Sequence, residues 1–185
     1  MRILLGVLLL CASCASHGPP EYQVEGECRA GRPHGRYVAR GPGGDRVEGS
    51  FCDGVRCGVF TFYSGPDLKL AEFPYRGRLP EGTVQVWYLP YMAPHSPHRR
   101  KFRGAYGAGK PHGESRTWWP SGEVRSAFVY RHGELSGGSA WSAEGKELGW
   151  SEAIALADRD GATRARLFQA LGSIVTANPP DCGGR

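Results

Sequence analysis

Hydrophobic and polar positions alternate in short stretches along the central part of the chain. Aromatic side chains recur at every second position, as in Phe60-Thr-Phe62 and Phe128-Val-Tyr130. Alternation of this kind is typical of β-strands that bury one face. Turn-forming groups of glycine, proline and serine separate the stretches, for example at 41–44, 64–66 and 120–122. The pattern therefore predicts a series of β-hairpins.

Pairs of glycines four residues apart recur through the same region at a nearly constant interval. The first glycines of successive units are 23 residues apart twice, and 24 residues apart in the last unit. A fixed period of this size indicates a supersecondary unit that stacks on copies of itself. We expect one hairpin per unit, joined edge to edge in one elongated, twisted antiparallel sheet. The pairs are Gly31/Gly35, Gly54/Gly58, Gly109/Gly113 and Gly133/Gly137, with Gly77/Gly82 as a looser copy.

The glycine pairs, the phased aromatic residues and the mid-repeat turns together resemble the MORN repeat family, in its divergent bacterial form. The resemblance covers residues 25–150. It implies a mainly β fold of repeated hairpins and a role in protein or membrane contacts.

After Trp150 the aromatic alternation gives way to a helical pattern. Apolar residues there recur at helical spacing, and Asp160 is a suitable N-cap. We expect a helix over 161–176, a shorter helix over 151–157 and a break between them. Residues 151–185 would then form a helical cap and tail that protect the end of the sheet. The apolar residues of the pattern are Leu167, Phe168, Leu171, Ile174 and Val175.

The first residues have the layout of a bacterial export signal. Met1-Arg2 precedes an apolar run over 3–10 and a cluster of small residues, and the run is too short to span a bilayer. We expect a signal peptide over 1–13, a lipid on Cys14 and a linker over 14–24. Cleavage after Ala15 or Ser16 is the alternative, and an uncleaved anchor is a weaker one.

A lipid on Cys14 would hold the protein on a membrane surface. The sequence therefore predicts a protein exported to the cell envelope and anchored in the outer membrane by its lipid, with a periplasmic or secreted protein as the alternative. An oxidising compartment favours disulfides. Cys52 and Cys57 flank a short connection, so we favour a Cys52–Cys57 bridge and a second bridge from Cys28 to Cys182. The pairing of Cys28 with Cys52 and of Cys57 with Cys182 remains open.

The unit that begins at Gly77 is nine residues longer than the others, and we assign the excess to a long loop over 89–101. Insertions of this kind often form the binding face of a repeat protein. One interpretation is contact with a protein partner or an anionic glycan. The other, which we favour, is that the basic residues keep an exposed strand soluble. The residues concerned are Tyr91, His95, Arg99, Arg100 and Lys101.

Several aromatic residues are candidates for a contact surface. We single out Trp118 and Trp119, with Tyr63 and Trp87 beside them, although core packing is the favoured explanation for all four. Exposed coplanar aromatic rings bind sugars, so a peptidoglycan-binding module is the alternative function. Affinity for peptidoglycan that is lost in Trp118→Ala or Trp119→Ala, but not in charge variants, would distinguish it.

The sequence contains no recognisable catalytic or metal-binding motif. His34 and His112 occupy the same place in two repeats, which predicts a role in the turns. We therefore expect no catalytic residue, metal or cofactor, and no nucleic-acid partner. The net charge of +5 suits anionic surfaces such as phospholipid or envelope polymers, and a solvated surface explains it equally well. The function predicted is a non-enzymatic envelope scaffold, with self-association through a sheet edge as a further possibility.

Overall fold

The computed structural model describes residues 22–93 and 99–183. The predicted signal peptide, the predicted lipidation site at Cys14 and the loop residue His95 lie outside the described residues.

Eleven antiparallel strands form one sheet. Strands that are consecutive in the chain are neighbours in the sheet, with one exception: the short β6 pairs only with β5, so β7 is the next full strand beside β5. The predicted sheet of consecutive hairpins is confirmed. No pairing joins β1 to β11 among the described residues, so the sheet is open. The strands are β1 (Gln23–Arg29), β2 (Arg32–Arg40), β3 (Arg46–Cys52), β4 (Val55–Tyr63), β5 (Lys69–Arg76), β6 (Leu79–Pro80), β7 (Gly82–Trp87), β8 (Arg100–Gly107), β9 (Lys110–Trp118), β10 (Val124–Arg131) and β11 (Glu134–Ala140). A 3₁₀ turn, Pro90–Met92, lies between β7 and β8.

The first glycine of a repeat pair closes the two-residue turn between hairpins. In the turn from β3 to β4, Asp53 has φ of 50° and Gly54 has φ of 88°. Two successive residues with positive φ match the right-handed twist of the flanking strands, and glycine adopts this conformation without steric cost. The turn from β10 to β11 is built in the same way, with φ of 52° at His132 and 99° at Gly133.

A single helix, α1 (Trp150–Ala177), follows the sheet. The predicted break around Asp160 is wrong, and so is the assignment of Asp160 as an N-cap. The helix begins after Gly149, whose backbone N–H donates to the Glu152 carboxylate at 3.0 Å. Asp160 instead forms an ion pair with Arg125 of the sheet at 3.1 Å. This tertiary contact outweighs the local preference of Asp160 and Gly161 for a helix end.

The helix crosses one face of the sheet from β11 back to β1. Near its start, Leu156 packs with Phe128 of β10. Near its end, Val175 joins the cluster that contains Tyr37 of β2. Its 28 residues span about 42 Å, close to the width of about 43 Å expected for ten neighbouring strands. The helix therefore runs across the full width of one face of the sheet and does not sit at the end of the repeats, where we had predicted it.

Two apolar clusters fill the space between helix and sheet. The larger lies over β2–β8 and is rich in aromatic rings, including an edge-on contact between Phe73 and Phe168 at 4.5 Å between ring centres. The smaller joins β10 and β11 to the first half of the helix. Between the clusters, the hydroxyls of Thr117 and Ser126 are 2.7 Å apart and buried. A polar layer thus divides the core at mid-helix.

Two disulfides cross-link the described part of the chain, and they are the pairing that the sequence favoured. Cys52 is bonded to Cys57 across the β3–β4 turn. Cys28 of β1 is bonded to Cys182 in the tail after the helix. The tail lies directly on β1, because a side chain at Gly26 would come within 2.6 Å of the Pro180 ring.

Candidate functional site

The face of the sheet opposite α1 is the candidate functional surface, here called the free face. No helix or strand of residues 22–93 and 99–183 covers it. Its side chains alternate with those of the core. Thr61 lies between the buried Phe60 and Phe62, and Gln85 lies between the buried Val84 and Val86. These positions are polar because only one side of each strand packs against the helix.

A row of alternating cationic and aromatic side chains crosses the free face near the mid-repeat turns. It spans six neighbouring strands, from β3 to β9 without β6. Each cation lies over the ring of an aromatic neighbour, an arrangement that stabilises both side chains in place. The pairs are Arg46 over Tyr63 at 4.2 Å, Lys69 over Trp87 at 5.2 Å and Arg100 over Trp118 at 5.7 Å.

The basic residues predicted as one group are separated by a β-bulge. Trp87 pairs with Arg100 and Val86 pairs with Phe102, which leaves Lys101 as the extra residue. Arg100 therefore lies on the free face, while Lys101 turns towards the helix, with its ammonium 5.5 Å from the centre of the Tyr88 ring. Sequence reasoning missed this division because a bulge changes the alternation of a strand without an obvious sequence signal.

The other predicted contact residues lie apart from one another. Arg99 donates a hydrogen bond to the carbonyl of Ser121 in the β9–β10 turn. The indole N–H of Trp119 donates to the Trp141 carbonyl at 3.3 Å, and the Arg125 guanidinium lies over the Trp119 ring at 4.7 Å. Tyr91 is 74% exposed in the 3₁₀ turn.

Of the predicted set, the structure thus brings Arg100 and Trp118 together and separates Lys101, Trp119 and Tyr91 from them. Trp118 and Trp119 are both half-buried, so core packing accounts for only part of each side chain.

A second row on the free face changes from acidic to basic across the sheet. Its members occupy one cross-strand register line, so they are neighbours on the same face. Arg103 and Arg116 are direct cross-strand partners at the basic end. The sequence analysis did not identify either arginine. Strand alternation next to Phe102 and Thr117 could have placed both on the free face, but only the register brings them together. The row is Glu48, Thr61, Glu72, Gln85, Arg103 and Arg116.

The acidic half of the free face is neutralised by its own neighbours. Glu48 forms an ion pair with Arg46 at 3.0 Å. Glu72 forms one with Lys69 at 2.5 Å and accepts a hydrogen bond from Gln85 at 3.0 Å. The cations of β3 and β5 are therefore occupied within the sheet.

The basic half forms a shallow cleft of about 490 Å³ over β7, β8 and β9, here called the arginine cleft. None of its three arginines forms an ion pair with any residue in the described parts of the chain. Glu114 is the one carboxylate among the described residues that line the cleft, and it forms no such pair either. The cleft therefore carries a local excess of positive charge. Its lining side chains include Thr83, Arg100, Arg103, Glu114, Arg116 and Trp118.

A small cavity of about 50 Å³ lies on the helix side, in the layer between the two core clusters, and its wall is mostly apolar. Arg125 and Asp160 form their ion pair there, and the Arg164 guanidinium lies over the Phe102 ring at 4.6 Å. One oxygen of Asp160 and the Nε atoms of both arginines have no hydrogen-bond partner among the described residues. We assign the cavity a structural role in joining the helix to the sheet.

The histidines support the repeat turns, as the sequence predicted. The backbone N–H of Asp53 donates to Nδ1 of His34 at 3.4 Å. In the equivalent repeat, the backbone N–H of His132 donates to Nδ1 of His112 at 3.3 Å. Across residues 22–93 and 99–183, no group of three or more His, Cys, Asp or Glu side chains is arranged to hold a metal ion.

Within the described parts of the chain, no helix combines the length and apolarity that crossing a membrane requires. Comparison of the chain with protein-family models gives no match, and comparison with curated proteins gives no match either.

Proposed function

We propose that this protein is a non-enzymatic scaffold of the cell envelope, built from MORN-like repeats and held at the outer membrane by a lipid on Cys14. Its free face contacts a protein or another component of the envelope. The helix takes no part in this contact, because its apolar side packs on the opposite face of the sheet.

The observation that carries the proposal is the difference between the two faces of the sheet. One face packs its aromatic residues against a helix that is as long as the sheet is wide. The other carries ordered cation–aromatic pairs and a cleft with unpaired arginines. A large and preorganised surface is suited to binding an extended partner, since few side chains lose freedom on contact.

The envelope location is supported by the cysteines as well as by the amino-terminal sequence. Both disulfides join residues that are close in the folded chain, with Cα–Cα distances of 5.5 and 5.8 Å. Disulfides persist in oxidising compartments such as the periplasm and the cell surface. The sheet begins at Gln23, so the proposed linker from Cys14 would leave it close to the membrane.

A carbohydrate-binding module is the second candidate, favoured by the spacing of the aromatic rings. Tyr63, Trp87 and Trp118 lie on every second strand of the sheet, which separates neighbouring rings by about 10 Å. Such a row matches a linear glycan that places every second sugar ring over an aromatic side chain. For this candidate we expect Trp118→Ala to abolish binding to peptidoglycan, while loss of the paired cation Lys69 has little effect.

The anchor is tested by the intact mass of the membrane fraction. The full chain is expressed in a diderm bacterium beside a Cys14→Ser variant. We expect a mass increase of diacylglyceryl size in the parent chain alone, with the variant released from the membrane. An unmodified product in the soluble fraction would exclude the anchored scaffold and leave a diffusing periplasmic or secreted module.

A further inference from the structure

We infer that the arginine cleft binds an acidic glycan, through the phosphate or carboxylate groups that the polymer carries. The inference rests on the proposed function, in which the free face is the contact surface, and it adds the chemical class of the ligand. Arg103 and Arg116 would hold the anionic group, and Arg100 and Trp118 would lie beside the adjoining sugar.

The first argument is the unbalanced charge of the cleft. Arg103 and Arg116 are direct cross-strand partners, and like charges in this position repel each other. In the acidic half of the free face, by contrast, the cations Arg46 and Lys69 each have a carboxylate partner. An anion bound between Arg103 and Arg116 would offset the repulsion between the two guanidinium groups. Because this repulsion is already present in the unliganded protein, its relief favours binding.

The second argument is the chemistry of the side chains. A guanidinium group offers parallel N–H donors that fit both oxygens of a carboxylate or phosphate. A sugar ring packs through its C–H surface against an aromatic ring, while neighbouring polar groups hydrogen-bond its hydroxyls. Trp118 and Thr83 provide these two elements at the cleft. The combination of arginine pair, indole and hydroxyl fits an acidic sugar better than a bare inorganic ion.

The third argument is the extent of the surface. The arginine cleft is continuous with the cation–aromatic row, which runs on through Trp87 and Lys69 to Tyr63 and Arg46. A small molecule would fill only the cleft, whereas a polymer would also follow the row. The aromatic rings are half-buried between cations rather than protruding. Membrane-surface binding relies on apolar side chains that insert between lipids, so the rings fit a glycan better than a bilayer.

The test measures binding of the purified full-length protein to three kinds of probe. Polygalacturonate and a phosphorylated mannan supply the anionic glycans, neutral dextran supplies the uncharged one, and phosphatidylglycerol vesicles supply an anionic membrane. The cleft variant is Arg103→Gln with Arg116→Gln. Its matched control is Arg36→Gln with Arg131→Gln, which removes the same charge from exposed free-face positions outside the cleft.

We expect both anionic glycans to bind and neutral dextran not to bind. The cleft variant should lose about tenfold or more in affinity, because each arginine–anion contact contributes a charged hydrogen bond. The matched control should stay within about twofold of the parent. The thermal unfolding midpoint of each variant shows whether a loss of affinity comes from a loss of folding.

Three results would overturn the inference. Equal losses in the cleft variant and its control would mean non-specific charge attraction. Binding to anionic vesicles alone, lost in the cleft variant, would assign the site to a membrane. Absence of binding to every probe would exclude an acidic glycan as the ligand. The scaffold proposal would be unaffected, because the intact-mass measurement tests it separately.

Discussion

Gly137 and Gly138 are neighbours in β11, yet their surroundings differ sharply. A side chain at Gly137 would meet no atom within 4 Å. A side chain at Gly138 would come within 2.1 Å of the Ala127 carbonyl oxygen, and Gly138 also has φ of 130°. The obstacle is backbone of the paired strand, which cannot move aside without breaking the pairing. Of these two residues, only Gly138 must be glycine for the strands to pack as they do.

We predict that Gly138→Ala lowers the free energy of unfolding by about 2 kcal/mol or more, through steric overlap and backbone strain. Gly137→Ala serves as the matched control and should change it by less than about 1 kcal/mol. Urea denaturation of the two variants measures the difference. Equal stabilities would contradict the assigned register of β10 and β11.

Tyr37 joins the sheet to the tail after the helix. It is fully buried, and its hydroxyl donates to the Asn178 carbonyl at 2.8 Å. Burial raises the pKa of Tyr37 from 10.0 to about 12. The folded state therefore holds the phenol proton more tightly than the unfolded state does. The contribution of Tyr37 to stability is complete below pH 10 and is lost as the pH rises from 10 to 12.

We expect Tyr37→Phe to cost about 1 kcal/mol at neutral pH, from the lost hydrogen bond. The same variant should show a shallower loss of stability between pH 10 and pH 12 than the parent does. Some decline remains, because burial also raises the pKa of Tyr75 and Tyr106. Unfolding midpoints across this pH range measure the effect, with Tyr91→Phe in the exposed turn as control. Parallel curves for parent and Tyr37→Phe would contradict the burial of this phenol.

At the scale of elements, the helix and the tail tie the last strand of the sheet to the first. The Cys28–Cys182 bridge joins residues 154 positions apart, while the Cys52–Cys57 bridge spans only 5. A cross-link restricts the unfolded chain more when the loop it closes is longer. The two bridges should therefore differ in their contribution to stability.

We predict that replacing Cys28 and Cys182 by Ala lowers the free energy of unfolding by about 5 kcal/mol, and that the same change at Cys52 and Cys57 lowers it by about 2 kcal/mol. Guanidinium denaturation of the two double variants compares them directly. A larger loss from the short bridge would show that the tail does not hold the sheet in the way described.

The strands were predictable from the sequence and the helix only in part. Turn glycines and alternating aromatic residues are local signals, so they indicated the hairpins and their order. The continuity of α1 through Asp160 and Gly161 depends on Arg125, which is distant in sequence. The bulge that separates Arg100 from Lys101 also depends on pairing with another strand. Non-local contacts of this kind leave no periodic pattern in the sequence.

At the scale of the whole molecule, the helix makes the two faces of the sheet unequal. An open sheet with two similar faces would expose its aromatic residues on both sides. Here the helix buries one face along its full width, and the other remains available to a partner. The candidate site was predictable only as single residues, Arg100 and Trp118. The register of β8 and β9 places these two residues close to Arg103 and Arg116.

The central claim is that the free face, and not the helix side, meets the partner of this protein. A photoreactive amino acid at Thr83, exposed on the free face, tests it in living cells beside the same substitution at Ala162, exposed on the helix. We predict cross-linked adducts of envelope components from position 83 and none from position 162. Adducts from position 162 alone, or equal yields from both positions, would contradict the account.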